Sequence, residues 1–341
     1  MAALQPAPTA PAGGPEAAED LGAPGAPGRW RRFALRRAGR LAVSLWVLVT
    51  AAFLMIHLVP GDPVRAALGM TASPETVAAM RAQLGLDAPL PEQYWNYLRG
   101  LFTGDLGVSI TSRLPVAQVI GPRLGATVAL AAVAFALAAA CAIPLGAAVA
   151  VATRRGRRRH LELGFAASSV VVAAVPDFLL GVMLVAVFSV GLGWLPVAGM
   201  AGPASFILPV LALAVGPAAV LARITRVEML GALEADYVRT ARAKRLSAAR
   251  VNLGHALPNA VTATLTLAGL LLGGMVAGTV LVESVFAWPG LGSQIVAAIA
   301  SKDYPLVQGI TLVYGLGVLL INTAVDCALA LLDPRSTIAE A

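Results

Sequence analysis

The sequence has only two lysines in 341 residues, Lys244 and Lys302. Neither stands in a G-x-x-x-x-G-K-[ST] pattern, so the loop that cradles nucleotide phosphates is absent and no nucleotide-hydrolysing motor is expected on this chain. Cysteine is as scarce. Cys141 and Cys327 each sit inside an apolar run, which excludes a disulfide framework and metal-ligand spacing and marks both as expected buried filler. His57, His160 and His255 are scattered and form no ligand cluster. No Ser/His/Asp or paired-carboxylate setting stands out, so the chain is not expected to be an enzyme. Charge is the deepest deficit, at 13% charged against 58% hydrophobic residues. Soluble domains are about 45–50% apolar and about a quarter charged, so an integral membrane protein is expected. The net charge of +7 would suggest nucleic acid in a soluble chain. Here it is read against the membrane, and no nucleic-acid partner is expected.

Long apolar runs are what the sequence has in place of charge. A membrane-crossing helix needs about 20 mostly apolar residues, and six segments qualify: 39–59, 125–152, 161–191, 205–224, 260–282 and 305–331. Several exceed the minimum, which predicts tilt or extension beyond the bilayer. Pro144, Pro176, Pro209 and Pro217 fall inside these runs. They would break soluble helices, but neighbouring helices in a bundle can satisfy the freed backbone groups. The expected architecture is an all-α polytopic membrane protein with six spans.

Lysine and arginine set the orientation. Nineteen of the 25 lie on one side of this arrangement, in the clusters 29–40, 154–159 and 223–250 and at Arg335; six lie on the other. The positive-inside bias places both termini and the segment 223–250 in the cytoplasm. Residues 1–28 are rich in Ala, Pro and Gly and are expected to be a disordered cytoplasmic tail. Residues 29–60 hold the first span with its basic flank. A cleaved signal peptide is the rival reading for this stretch, but the apolar part is too long and no A-x-A-like site follows. Residues 336–341 form a short C-terminal tail.

Residues 61–122 read as a helical extracytoplasmic insert between spans one and two. "SPETVAAMRAQLG" predicts a short helix with Ser73 as N-cap, Pro74 at its first position, Gly85 just past its end and an apolar stripe of Val77, Met80 and Leu84. "PEQYWNYLRGLFTG" repeats the pattern, with Tyr94, Leu98 and Leu101 on one face and Gly104 as the stop. Such short helices are not stable alone. The faces carrying Tyr94, Trp95, Tyr97 and Phe102 must pack as a cap on the bundle or dock a partner.

Inside the core 123–335, the segment 225–258 interrupts the apolar pattern with "YVRTARAKRLSAARV", five cations and no acid in fifteen residues. It predicts a helix over 235–244, then a second short helix "AARVNLGHAL" capped by Ser247. Three uses fit such a helix–turn–helix at the inner membrane face: binding anionic lipid headgroups, worth about 1 kcal/mol per basic residue, serving as a connector, or docking a soluble protein. Its length argues against a mere connector. Spacing alone does not choose between lipid and protein.

The longer stretch "DYVRTARAKRLSAARVNLGHALPNA" resembles the cytoplasmic signature loop of binding-protein-dependent ABC importers and, more closely, is similar to that of their dipeptide/oligopeptide/nickel permease family. The general importer pattern is an acidic-Ala-Ala triplet, then a Gly, then Ile-x-Leu-Pro. Its register puts Arg239-Thr240-Ala241 at the triplet, position 245 at the Gly and His255-Ala256-Leu257-Pro258 at the end. Peptide-type members show D-Y-V-R-T-A-R-A-K-G-L-S, matched here everywhere but the glycine. Further family stretches span nearly all of 33–335, among them "LVPGDPVRAALG", "LRGLFTGDLGVSI", "ESVFAWPGLGSQIV", "DYPLVQGI" and "INTAVDCALALLDPR".

The resemblance implies a prokaryotic inner-membrane permease that imports peptides or related small solutes. It would act with a second homologous permease subunit, two cytoplasmic ATPase subunits that carry ATP and Mg, and an extracytoplasmic solute-binding protein. No cofactor is implied on this chain. The loop residues Asp236, Tyr237, Arg239, Thr240, Ala241, Arg242, Ala243, Lys244, Arg245, Leu246, Ser247 and His255 would couple to the ATPases. Arg245 is the departure: if that turn is left-handed, a non-glycine residue costs about 1–2 kcal/mol. An ion-coupled secondary transporter is the alternative. It would need midplane carboxylates, for which only Asp177 is well placed.

Ionisable residues at membrane depth are costly and therefore site candidates. Asp177, beside Pro176 and followed by Phe178, is expected either to line the translocation path or to bond a neighbouring helix. Glu283 and Trp288 open "ESVFAWPGLG", whose family counterpart lies near the extracellular gate; an aromatic belt explains the Trp equally well. Asn322 and Asp326 share one helix face and are expected to bond between helices. His57 is expected at the interface.

Overall fold

The computed structural model describes residues 27–58, 62–69 and 71–332. The expected tails fall outside these residues up to position 26 and over 336–341, as does Arg335. The described chain is helical, with a single isolated antiparallel bridge between Val108 and Pro115. In order the helices are α1 (Pro27–Leu58), α2 (Pro63–Leu68), α3 (Pro74–Gln83), α4 (Leu90–Thr103), α5 (Val116–Thr153), α6 (Arg159–Ala174) and α7 (Asp177–Leu184). They continue with α8 (Ala204–Glu234), α9 (Asp236–Ala243), α10 (Ala248–Val251), α11 (Leu257–Val285), α12 (Leu291–Ala300) and α13 (Tyr304–Leu332). α1 starts two residues inside the expected tail, so the basic flank is itself helical.

Among the described residues five helices are long and apolar enough to cross a membrane: Ala34–Leu58, Val116–Gly156, Ala204–Glu234, Ala248–Val285 and Tyr304–Ala328. The expected third span is different, for α6 and the stretch Asp177–Gly191 meet at a 90° bend. The cause is local. Val175, the residue before Pro176, is extended at φ −74°, ψ 121°, as a residue before proline prefers. Asp177 then opens α7, where negative charge suits the positive end of a helix. Pro144, Pro209 and Pro217 behave as expected and stay inside continuous helices.

At the centre α5, α8 and α11 pack through small residues. Ala126, Leu130, Ala134 and Ala138 of α5 meet Leu208, Ala212 and Leu213 of α8 and Met275 and Val282 of α11. Between lipid-immersed helices association rests on close packing rather than on water exclusion, so small residues matter most. A Cβ at Gly146 would run into the Ala222 carbonyl, and one at Gly269 into Val325 of α13. α1 lies against α13, where Arg37 pairs with Asp326 and donates to the Asn322 carbonyl at 3.2 Å. Asp326 therefore bonds between helices as expected. The side-chain Oδ1 of Asn322 is buried without a partner among the described residues. Cys141 and Cys327 are free but exposed, not buried filler. An apolar run on a span can face lipid or another subunit and need not be buried within its own chain.

The insert forms as its caps dictate. Ser73 accepts from the Thr76 amide at 3.3 Å, Pro74 starts α3, and Gly85 and Gly104 end their helices at positive φ. Asp62 caps α2 by accepting from the Val64 amide at 3.0 Å. Arg81 bridges Asp62 and Asp87 at 3.1 and 3.0 Å. Tyr94 and Tyr97 pack on Phe53 of α1, and Tyr94 bonds Thr50 at 2.8 Å. His57 completes this seam through Gln93 Oε1 at 3.0 Å. Trp95 and Phe102 point away, 66% and 93% exposed. The insert is thus a packed cap on one face and bare aromatic surface on the other.

Candidate functional site: an elbow and a knot

The spans expose two different turn regions, at opposite ends of the bundle. The first, the elbow, lies at the end that carries the arginine clusters. α8 stops at Ala235, which is extended, and α9 starts at Asp236. Val238 and Ala241 are buried against Met229 and Leu233 of α8, Ala150 of α5, and Val251, Ala256 and Ala260 beyond the turn. The opposite face of α9 presents Asp236, Tyr237, Arg239, Thr240, Ala243 and Lys244 to the exterior, and Arg242 is half-buried. Arg239 pairs with Asp236 at 3.1 Å, an exposed contact of small energetic weight.

The turn after α9 has left-handed backbone at Arg245, φ 57°. The Arg245 amide donates to the Arg242 carbonyl at 2.9 Å and the Leu246 amide to the Ala241 carbonyl at 3.4 Å. This pair of bonds is the Schellman helix stop, in which glycine is the usual left-handed residue. Arg245 therefore takes a left-handed conformation that suits glycine, at a cost of about 1–2 kcal/mol. Leu246, packed against the buried Val238–Ala241 face, offsets part of that. Ser247 then accepts from the Arg250 amide at 3.4 Å, the expected cap. The second arm is no separate short helix: α10 runs through a π-helical turn at Asn252–Ala256 straight into α11. His255 sits on that turn, half-buried, in the arm rather than on α9.

The second region, the knot, lies at the other end. Glu283 is fully buried near the end of α11. Its carboxylate accepts from the Thr127 hydroxyl of α5 at 2.7 Å and from the amides of Gly292 and Ser293 at 2.6 and 3.2 Å. Thr127 accepts in turn from the Leu291 amide at 2.8 Å. Together Glu283 and Thr127 satisfy the first-turn donors of α12, which a helix leaves without internal partners. Trp288 is also fully buried, donates its indole N–H to the Ala126 carbonyl at 3.1 Å, and meets Phe206 edge-on at 4.5 Å. Neither residue faces open space, and an aromatic belt does not describe Trp288.

A second buried carboxylate, Asp303, went unnoticed in the sequence. It caps the start of α13 and accepts from Ser109 Oγ at 2.5 Å and from the amides of Ile110 and Thr111, both at 3.1 Å. The expected path residues do not gather with these. Asp177 is half-buried between α8 and α11, where a Cβ at Gly216 or Gly278 would lie 3.4 or 3.2 Å from its oxygens. Among the described residues it accepts no hydrogen bond, so it does not bond a neighbouring helix. Phe178 beside it is exposed.

No group of three or more His, Cys, Asp or Glu side chains that would suit a metal occurs among the described residues. Against known proteins, the family described as "Binding-protein-dependent transport system inner membrane component" matches residues 142–338, and the model of its N-terminal part matches 30–131. The chain belongs to this family. This permease is similar to the glutathione transport system permease protein GsiC of Escherichia coli strain K12, 39% identical over 302 residues that cover 89% of this chain and 97% of that one. The protein of the same name from Pectobacterium atrosepticum is 39% identical over 300 residues, covering 88% and 97%. Among solved structures, an amino acid ABC transporter with histidines aligns with 62% of this chain and 94% of its own at a TM-score of 0.48 and 18% identity. The chain is thus a permease subunit of an ABC importer, an inner-membrane component and not itself an enzyme. The ion-coupled alternative is set aside.

Proposed function

We propose that this permease imports short peptides, glutathione-like peptides among them, and that ATPase subunits drive it through the elbow. The observation that carries the coupling role is the division of α9 into two faces. Val238 and Ala241 anchor it to α5, α8 and the head of α11, while Tyr237, Arg239, Thr240 and Lys244 are exposed to a partner. A push on that outer face moves the spans behind it, because closely packed interiors transmit displacement rather than absorb it. Alternating access needs two states favoured by different contacts, and ATPase closure supplies the difference here.

In this reading the elbow and both termini are cytoplasmic, in keeping with the arginine bias. A solute-binding protein delivers cargo at the knot end, where Trp95 and Phe102 are bare, and a second permease completes the path. Asp177 and Phe178 line that path; Glu283 and Trp288 brace its outer end. The names of the similar permeases support the peptide class. Uptake by vesicles holding the reconstituted complex should follow internal ATP and survive an uncoupler. Uptake that stops with the uncoupler and ignores ATP would contradict the reading.

A further inference from the structure

Beside the elbow, two cavities lie next to each other and share part of their lining. One, about 460 Å³, lies where the end of α5 meets the turn after α9, and Arg154, Arg155, Arg157 and Arg242 line it. Four arginines thus line one space, and among the described residues none of them is ion-paired. Arg154 uses one nitrogen on the Leu233 carbonyl at 3.0 Å, while its Nε is buried and donates to nothing. Like charges held this close repel, and a bound anion removes that cost.

The second cavity, about 730 Å³, is an apolar groove that climbs α5 from this point. Ile143, Pro144, Ala148 and Val151 line one wall, and Met229, Leu253 and Leu257 the other. It shares Val151, Arg157 and Asn252 with the arginine cavity. Leu253, 65% exposed, stands at its edge. The two adjoining cavities together therefore offer an apolar wall at span depth and a cationic floor where the span ends. A soluble anion would fill only the floor, and an acidic protein side chain would leave the groove bare. The molecule that matches both parts is a lipid with a phosphate headgroup and an acyl chain, since basic pockets between helices at an arginine-rich membrane face select anionic headgroups.

We propose that groove and arginine cavity together form one binding site for an anionic phospholipid, wedged between α5 and the elbow. The site goes beyond the transport reading and rests on it only for its placement at the inner leaflet. Occupied, it ties the arm at Asn252 to the end of α5 and so stiffens the base of the lever.

The test uses the assembled permease–ATPase complex, stripped of lipid in detergent and titrated under native mass spectrometry with phosphatidylglycerol or phosphatidylcholine of identical chains. Phosphatidylglycerol should bind saturably at one site per copy of this chain, at least tenfold tighter. Two variants address the two halves. Arg155→Ala with Arg157→Ala, both exposed positions, should weaken that binding roughly 30-fold, near fivefold for each cation lost. Ala148→Trp, which fills the groove and leaves every arginine in place, should weaken it at least tenfold as well. Equal binding of the two lipids would overturn the proposal. So would unchanged phosphatidylglycerol binding in Ala148→Trp, or full competition by inorganic phosphate, since either would reduce the site to its floor. Release of the ATPases by the double arginine variant, with lipid binding intact, would assign the cluster to the motor and end the proposal. The coupling reading itself is judged separately, through Arg239 and Lys244, which line neither cavity.

Discussion

The two ends of this permease turn the chain around by opposite means. At the elbow the outer face of α9 is solvent-exposed, the fold is held by one buried stripe and a backbone helix stop, and the cations face out. At the knot the charged groups, Glu283 and Asp303, are fully buried and saturated by backbone amides and hydroxyls from distant segments. A buried, fully bonded carboxylate fixes a single geometry, because any displacement leaves several donors unmet. An exposed helix on a buried hinge can shift as a unit. In the proposed function the knot is the fixed end and the elbow the handle.

Breaking the knot should produce the largest effect. Glu283→Ala strands the Thr127 hydroxyl and the Gly292 and Ser293 amides in a buried site, with an expected loss of about 3–5 kcal/mol. The thermal midpoint of the purified complex should fall steeply. Next, Asp303→Ala should cost about 2–3 kcal/mol by freeing Ser109, Ile110 and Thr111. Hydrogen exchange at 109–112 should rise while exchange at 236–247 stays unchanged. Elbow substitutions should separate the properties the other way round. Arg239→Glu with Lys244→Glu should release the ATPases in a pulldown yet shift stability by no more than about 0.5 kcal/mol, as exposed substitutions do. Loss of folding in that pair would erase the contrast between the two ends.

Arg245→Gly sharpens the comparison in the direction of gain. It removes left-handed strain of about 1–2 kcal/mol, less the added freedom of glycine in the unfolded chain. Slower amide exchange over α9, with ATPase docking retained, is the expected result. The smallest effect concerns the insert. Burial opposes ionisation of Asp62, but the Val64 amide and the Arg81 guanidinium outweigh it and hold its carboxyl below the usual range. A depressed carboxylate contributes stability above its unfolded value, near 3.9, and loses it as pH falls through the folded value. Protection of the α2 and α3 amides, expressed relative to their intrinsic exchange rates, should therefore be flat from pH 7 to 5 and fall only in stronger acid.

What the sequence could show follows the same division. Caps are local, so Ser73, Pro74, Gly85, Gly104 and Ser247 were readable from their neighbours. The elbow's existence was readable too, because its cations interrupt an apolar pattern. Its second arm was misplaced, since nothing between Ala248 and Leu257 signals a stop and the helix simply runs on into α11. Pro176 looked no different from Pro209 or Pro217, although it alone sits at a sharp bend. In the knot the partners lie far apart in sequence: Glu283 finds Thr127 156 residues away and Asp303 finds Ser109 194 residues away. Asp303 could have been read as a cap for α13 from its position. Its second task, clamping 109–111, has no local trace. The cysteines erred for another reason, as apolar surroundings in sequence do not distinguish a bundle interior from a lipid-facing or subunit-facing side.

The account turns on which end the ATPases grip. With Cys141 and Cys327 replaced by Ala, Thr240→Cys on the elbow and Ser301→Cys at the knot end can each be joined to the assembled complex by a short thiol-directed cross-linker. Adducts of this chain with an ATPase subunit should form from position 240 and not from 301. Adducts from 301, or none from 240 in a complex that still hydrolyses ATP and transports, would contradict the account.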